Sequence, residues 1–356
     1  MTLARLQLTQ FRSWAGLDLA LDARPLVIHG PNGAGKTNIL EAVSMLAPGR
    51  GMRAAAPGDQ ARRGADLGWQ IRALIGDRQV LTRALPGQKR EVVIADKPAP
   101  QLALGALMRV IWLTPAMDRL WLDAPEVRRR FLDRLTLSFT PGHAEEALAH
   151  DKAMRERNRL LRDQIRDPAW YRALEAQMAE AGAALTRNRL DALERITAAQ
   201  QGAATAFPAA RLTLLPGEGF ACDRDPDSIA RRLCEWRGRD MAAGRTLTGP
   251  HRADLGASWG PQDMPAALAS TGEQKALLLS LILANARALA GEPTVLLLDE
   301  VAAHLDETRR AALYDEISAL PAQSLLTGTG PELFAALTGR ARFLPVTRAG
   351  ADSALA

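Results

Sequence analysis

Cysteine is nearly absent from this chain: Cys222 and Cys234 are the only two. Isolated thiols build neither a disulfide framework nor a tetrahedral zinc cluster, so reduced thiols in a cytoplasmic protein are expected. Aromatic residues make up 4% of the sequence, too few for the stacking platforms that hold single-stranded nucleic acid. No apolar run approaches the roughly 20 residues that span a bilayer. The opening MTLARLQLTQFRSW lacks the unbroken apolar core of a signal peptide. Tandem repeats and low-complexity tracts are missing as well. What is present is a globular composition: 356 residues, 47% hydrophobic and 24% charged, enough for one large or two ordinary domains. The formal net charge is +5 and the isoelectric point about 9.7, with arginine far outnumbering lysine. That balance suits a polyanionic partner without establishing one, because a GC-rich genome also enriches arginine.

Hydrophobic patterning divides the chain. ARLQLTQF and LDLAL alternate apolar and polar residues as half-buried strands do, whereas PLVIHG is a short apolar run suited to a central strand. WQIRALIG, QVLTRAL and EVVIAD, separated by Gly-Asp and Pro-Gly turns, predict an antiparallel meander. From Asp123, an expected N-cap followed by Pro125, the pattern turns helical, with Val127, Phe131 and Leu135 on one stripe. Two long helical patterns follow, the first ending near Asp167-Pro168 and the second running about 30 residues, or roughly 45 Å. Mixed strands and turns are expected after Pro208. EQKALLLSLILANARALA predicts a buried helix, TVLLLDE a buried strand, and the closing RAGADSALA a loose tail.

The chemistry concentrates in two places. GPNGAGKTN, comprising Gly30, Pro31, Asn32, Gly33, Ala34, Gly35, Lys36, Thr37 and Asn38, has the form G-x-x-x-x-G-K-[ST] between a strand and a helix. Gly33 and Gly35 let the backbone turn tightly so that its N–H groups converge on a phosphate. Lys36 supplies a point charge to the β- and γ-oxygens of ATP, and Thr37 a hydroxyl for Mg²⁺. Asp299, at the end of the apolar strand, is positioned to complete the Mg²⁺ shell, and Glu300 to act as general base toward water. The second place is Ser270-Thr271-Gly272-Glu273. It has the S-x-x-E spacing of a capping box, yet a cap needs no glycine in its first turn. Whether it is a cap alone or half of a site stays open on these residues.

A strand-ending Asp-Glu preceded by a long helix, itself preceded by Ser-x-Gly-Glu-Gln, resembles the ABC-type ATPases. Their signature turn begins Ser-x-Gly, which implies that Ser270 and Gly272 bind the γ-phosphate of an ATP held by a second subunit. The stretch His304-Leu305-Asp306 then corresponds to the D-loop. Here 234 residues separate Lys36 from Ser270, far more than in transporter ATPases, and a helical section lies between. This discontinuous plan is similar to that of the SMC and RecF group, and the insert is much shorter than an SMC arm. LQLTQFRSW, GPNGAGKTNILEAV, RRRFLDRL and TGPHRADL resemble stretches of the RecF family along nearly the whole chain.

The resemblance implies an α/β fold: an ABC-type P-loop ATPase head of mixed sheets plus helices, with an inserted short helical arm domain. Residues 1–120 and 246–356 would form the head and 121–245 the arm. It implies an ATP-dependent DNA-binding repair protein and weak ATPase. ATP and Mg²⁺ would close a homodimer on gapped or single-strand/double-strand junction DNA, and RecO and RecR would join in helping RecA to load. Arg12, in the Phe-Arg turn, would lie near the phosphates. Three departures stand out. No histidine follows the strand after Asp-Glu, where Thr327 and Thr329 stand instead. WLTPAMDRL has no Q-loop glutamine, and Ala253 replaces an acidic residue before Asp254. Candidate contacts to a DNA backbone are Arg50, Arg53, Arg62 and Arg63, and Arg128, Arg129, Arg130 and Arg134, with a solvated helix face as the alternative. A transporter ATPase is disfavoured by the insert, a structural SMC-like protein by the insert's shortness, and an ATP-driven nuclease by the lack of a metal-binding carboxylate cluster.

Overall fold

The computed structural model describes residues 2–64, 66–203, 205–260 and 263–356. Two compact units divide it: Met1–Asp118, Ala203–Pro208 and Ser270–Ala356 form the head, and Arg119–Gly202 with Ala209–Ala269 form the arm. Residues 246–260 and 263–269 thus fall in the second unit, whereas the family resemblance places them in the head.

The head opens with β1 (Leu3–Phe11), β2 (Trp14–Ala20), β3 (Leu26–His29) and α1 (Lys36–Ser44). Then follow β4 (Trp69–Ile75), β5 (Arg78–Ala84), β6 (Glu91–Ile94), β7 (Lys97–Ala99) and β8 (Arg109–Leu113). Strands β2-β1-β4-β5-β6-β7 form one antiparallel sheet. A register shift between Leu3 and Arg5 turns both Leu3 and Leu6 inward, although they are three residues apart.

After the arm, the head resumes with α7 (Thr271–Ala288), β12 (Thr294–Leu298), α8 (Glu307–Ala319), β13 (Gln323–Gly328), β14 (Arg342–Ala349) and β15 (Asp352–Leu355). The second sheet has the order β15-β14-β3-β13-β12-β8, parallel except for β15. Its strands β12 and β13 are buried along their whole length, which is why TVLLL carries no polar alternation. Residues of both sheets and of α1 share one apolar core. The tail expected from RAGADSALA is instead the β14–β15 hairpin. Composition misleads there because the tail is ordered by its backbone ladder with β14, from Val346–Leu355 to Ala349–Asp352, whose own Leu344 and Val346 are buried in the core.

In the arm, α2 (Pro125–Phe139), α3 (His143–Arg162) and α4 (Pro168–Gln201) precede β9 (Ala210–Leu215), α5 (Pro226–Glu235), α6 (Arg237–Ala243), β10 (Asp254–Trp259) and β11 (Met264–Pro265). Asp167 caps α4 through the Ala169 N–H. The expected Asp123 cap is not formed: Ala124 occupies that position, without a side-chain bond. Asp123 instead offers its carbonyl to Arg128 at 2.5 Å. Phe131 and Leu135 are buried but Val127 is exposed. Helices α5 and α6 stand where only strands and turns were expected, though Asp225 and Pro226 make an ordinary helix start.

Arg157 ties the arm together and is fully buried. It donates to Asp240 at 2.7 Å, Thr246 at 2.8 Å, the Leu233 carbonyl at 3.0 Å and Glu175 at 3.2 Å. Truncating it strands buried carboxylates, so Arg157→Ala should cost about 3–5 kcal/mol of unfolding free energy, read by urea denaturation.

The His150 and His251 rings lie 5.8 Å apart, His150 buried and His251 half-buried, with His150 Nε2 and His251 Nδ1 unpartnered among the described residues. Burial pushes their pKa values down to about 3 and about 4 from an ordinary 6.5. The folded values lie below the unfolded ones. Stability from keeping the rings neutral is therefore complete above pH 6.5 and drains away as pH falls through 4 toward 3. A denaturation series over this range should give a shallower loss for His150→Leu than for the unsubstituted chain.

Candidate nucleotide site

The site grows out of the turn between β3 and α1. Gly30 has φ 152°, and a Cβ there would meet the Val346 carbonyl oxygen at 2.0 Å. Gly35 has φ 100°, and its Cβ would meet Ser353 Oγ at 2.1 Å. Backbone conformation and close packing thus both demand glycine. Gly35 is the N-cap of α1 and no side chain caps the helix, so its first N–H groups are left to an anion. Lys36 is buried, and its Nζ donates to the carbonyls of Gly30 at 2.8 Å and Pro31 at 2.9 Å. Burial lowers the pKa of this ammonium, while Glu300 and Asp299 pull it back up.

Asp299 is the hub of the site. Its Oδ1 accepts from Thr37 Oγ1 and from Thr327 Oγ1, each at 2.8 Å. Thr327 Oγ1 in turn accepts the Glu300 N–H at 2.9 Å. Glu300 has φ 49°, a left-handed conformation costly for a residue with a side chain. The bond to Thr327 helps hold it there. A hydroxyl and a carboxylate oxygen side by side are the hard donors that Mg²⁺ takes, so Thr37 and Asp299 fit that ion. Thr327 is buried with its hydroxyl already engaged; Thr329 is exposed. The strand position without histidine therefore serves to link Asp299 to Glu300, a role that the motif Thr-Gly-Thr does not announce.

Arg12 lies beside the second turn of α1. It binds the buried Glu41 twice, Nε to Oε2 at 2.9 Å and Nη2 to Oε1 at 2.5 Å, and donates to the Asp59 carbonyl at 2.6 Å. Arg53 reaches the same carboxylate at 3.2 Å and Asn38 at 3.1 Å. Glu41, invisible in the motif, is thus the residue that fixes both arginines. In the second stretch, Ser270 and Glu273 form the full capping box: the Ser270 N–H and hydroxyl reach Glu273 Oε2 at 2.7 Å, and the Glu273 N–H reaches Ser270 Oγ at 3.4 Å. Gly272 has no positive φ, and the nearest atom to a Cβ there is Arg309 Nη1 at 4.0 Å. Asp306 caps α8; the His304 side chain lies outside what is described.

Of the basic candidates, Arg50, Arg53, Arg63 and Arg130 are exposed. Arg62 is paired with Asp352 at 2.6 Å. The alternative of a solvated helix face does not describe three of the α2 arginines: Arg128 grips Asp254 at 2.5 Å, Arg129 donates to the Ala253 carbonyl at 2.7 Å, and Arg134 stacks over Phe131. These side chains are used by the arm itself, because α2 packs against β10 as well as its neighbouring helices. Replacing Thr327 by valine leaves the Glu300 N–H unpaired and Asp299 short of one donor. It should cost about 1–3 kcal/mol in denaturation, most of it restored by Thr327→Ser.

An AAA domain family matches residues 5–62. The DNA replication and repair protein RecF of Rhizobium etli (strain CIAT 652) is 46% identical over 363 residues, covering 97% of each chain. Its counterpart in Agrobacterium fabrum (strain C58 / ATCC 33970) is 45% identical over 377 residues, covering 98% of each. Among solved structures, the recombination mediator protein RecF-ATP in the RecFOR pathway superposes with a TM-score of 0.85 at 19% identity, covering 100% of this chain and 97% of that one. An SMC head domain from Pyrococcus yayanosii reaches 0.60 at 14% identity, covering 100% of this chain and 96% of that one. The fold is that of an ABC-type P-loop ATPase head. With that fold and identities well above 40% over almost its entire length, the chain belongs to the RecF family of DNA replication and repair proteins.

Proposed function

We propose that this protein binds ATP with Mg²⁺ and hydrolyses it slowly, and that two copies close around the nucleotide to clamp DNA. Gly30 to Asn38 cradle the phosphates, Lys36 neutralises them, and Thr37 and Asp299 hold the metal ion, which screens the charge that develops on the oxygens. Glu300 accepts a proton from the attacking water. Thr327 ties the Glu300 backbone to the Asp299 carboxylate, and without an imidazole at its position turnover is slow.

Gly272 carries the dimer reading. Neither its backbone conformation nor a neighbouring atom of this chain requires a glycine, yet it sits at the start of α7 beside a hydroxyl. A helix N-terminus with no side chain in the way suits the γ-phosphate of an ATP bound by a second copy. Exposed Arg50, Arg63 and Arg130 are the best-placed contacts for a DNA backbone, with Arg53 also at the surface. By family membership, the DNA is gapped or carries a single-strand/double-strand junction, and RecO and RecR work with the protein to help RecA load. A domain division at residues 120 and 245 is an alternative to the contact-based one.

Sedimentation and DNA binding with and without ATP test this reading. The unsubstituted protein should dimerise with ATP and bind duplex-containing DNA in a salt-sensitive manner. Lys36→Ala and Ser270→Arg should remain folded monomers. A Ser270→Arg protein that dimerises normally with ATP would exclude the role of the α7 turn in the second copy's site.

A further inference from the structure

The β14–β15 hairpin is the part of the head that neither the motifs nor the proposed reaction uses, yet it lies against all three glycines of the phosphate loop. The Val346 carbonyl oxygen is 2.0 Å from where a Cβ on Gly30 would sit, and Ser353 Oγ is 2.1 Å from the equivalent position on Gly35. Arg348 Nη1 is 3.8 Å from that of Gly33, an ordinary contact distance.

The hairpin is firmly mounted. The Ser353 N–H donates to the Ser13 carbonyl at 2.8 Å. The two serine hydroxyls are 2.7 Å apart, and Asn38 Nδ2, in the first turn of α1, donates to Ser13 Oγ at 2.7 Å. On the other side Asp352 accepts from Arg62 Nε at 2.6 Å and Nη2 at 2.9 Å. This pairing holds the Asp352 carboxyl below the usual carboxylate range. Arg62, weighed above as a DNA contact, is thereby committed to the hairpin.

Arg348 itself is exposed. Among the described residues its hydrogen bond is from Nε to the Gly350 carbonyl at 3.2 Å, within its own turn, and no carboxylate lies within ion-pair distance. The remaining guanidinium donors are uncommitted, and a planar fork of this kind matches phosphate oxygens. The loop beside it leads into the N-terminus of α1, which no side chain caps.

We infer that Arg348 is a second cation of the nucleotide site, reaching the phosphates of a bound nucleoside triphosphate across Gly33 while Lys36 reaches them from the buried side. The inference rests on the ATP reading above. Arg348 works from the solvent side, so its contribution is screened by salt where that of buried Lys36 is screened less.

Titration calorimetry with MgATP tests it on the unsubstituted protein, Arg348→Ala, Arg348→Lys and Lys36→Ala. Arg348→Ala should weaken binding about tenfold at low salt, with a smaller loss at high salt and partial recovery in Arg348→Lys. Its thermal midpoint without nucleotide should be unchanged. Arg348→Ala binding within about twofold of the unsubstituted protein, while Lys36→Ala fails to bind, would overturn this inference alone. So would a tenfold loss accompanied by a matching fall in the nucleotide-free thermal midpoint, which would mark a structural role. Undiminished binding by Lys36→Ala would overturn the ATP assignment and this inference with it.

Discussion

Asp299 is the carboxylate on which the head depends. One of its oxygens accepts hydroxyls from two segments far apart in sequence, Thr37 at the start of α1 and Thr327 at the end of β13. Thr327 passes the constraint on to the Glu300 backbone, held in a left-handed conformation. The parallel register of β3, β13 and β12 brings these groups to the same edge of one sheet. Ligands in open α/β sheets gather at the carboxyl ends of the strands for this topological reason. Lys36 Nζ is held by the carbonyls of the loop, with Asp299 and Glu300 near enough to favour its charged form.

Charge inside the protein is handled differently in the two units. In the head, Glu41 is buried and neutralised by Arg12 and Arg53. In the arm, Arg157 is the buried partner and carboxylates surround it. Both arrangements consume arginines that a reading of net charge would assign to an outside polyanion. The +5 balance does not say where the excess charge lies: several of the most conspicuous arginines, Arg128 and Arg129 among them, are hydrogen-bonded within their own unit. Charge counted along a chain is a poor guide to charge presented at a surface, because desolvated cations require partners.

The α7 start shows how one stretch carries two demands. Its capping box is complete, and this satisfies the helix end. Among the described residues, neither backbone conformation nor a close neighbour requires a glycine at Gly272. A local motif explained by local physics therefore leaves a residue over, and that residue is the informative one.

Legibility followed the range of the interaction. The phosphate loop, the alternating strands of the meander, the buried α7 and β12, and the capping box were all readable from sequence, since each is decided by residues within a few positions of one another. Tertiary structure decided the rest. That Thr327 would bridge Asp299 and Glu300, that Glu41 would hold Arg12 beside α1, and that a tail poor in large apolar residues would become a hairpin against three glycines all depend on pairing between elements that are not neighbours along the chain. Such pairings are set by backbone hydrogen bonds and close packing, to which composition and periodicity are blind.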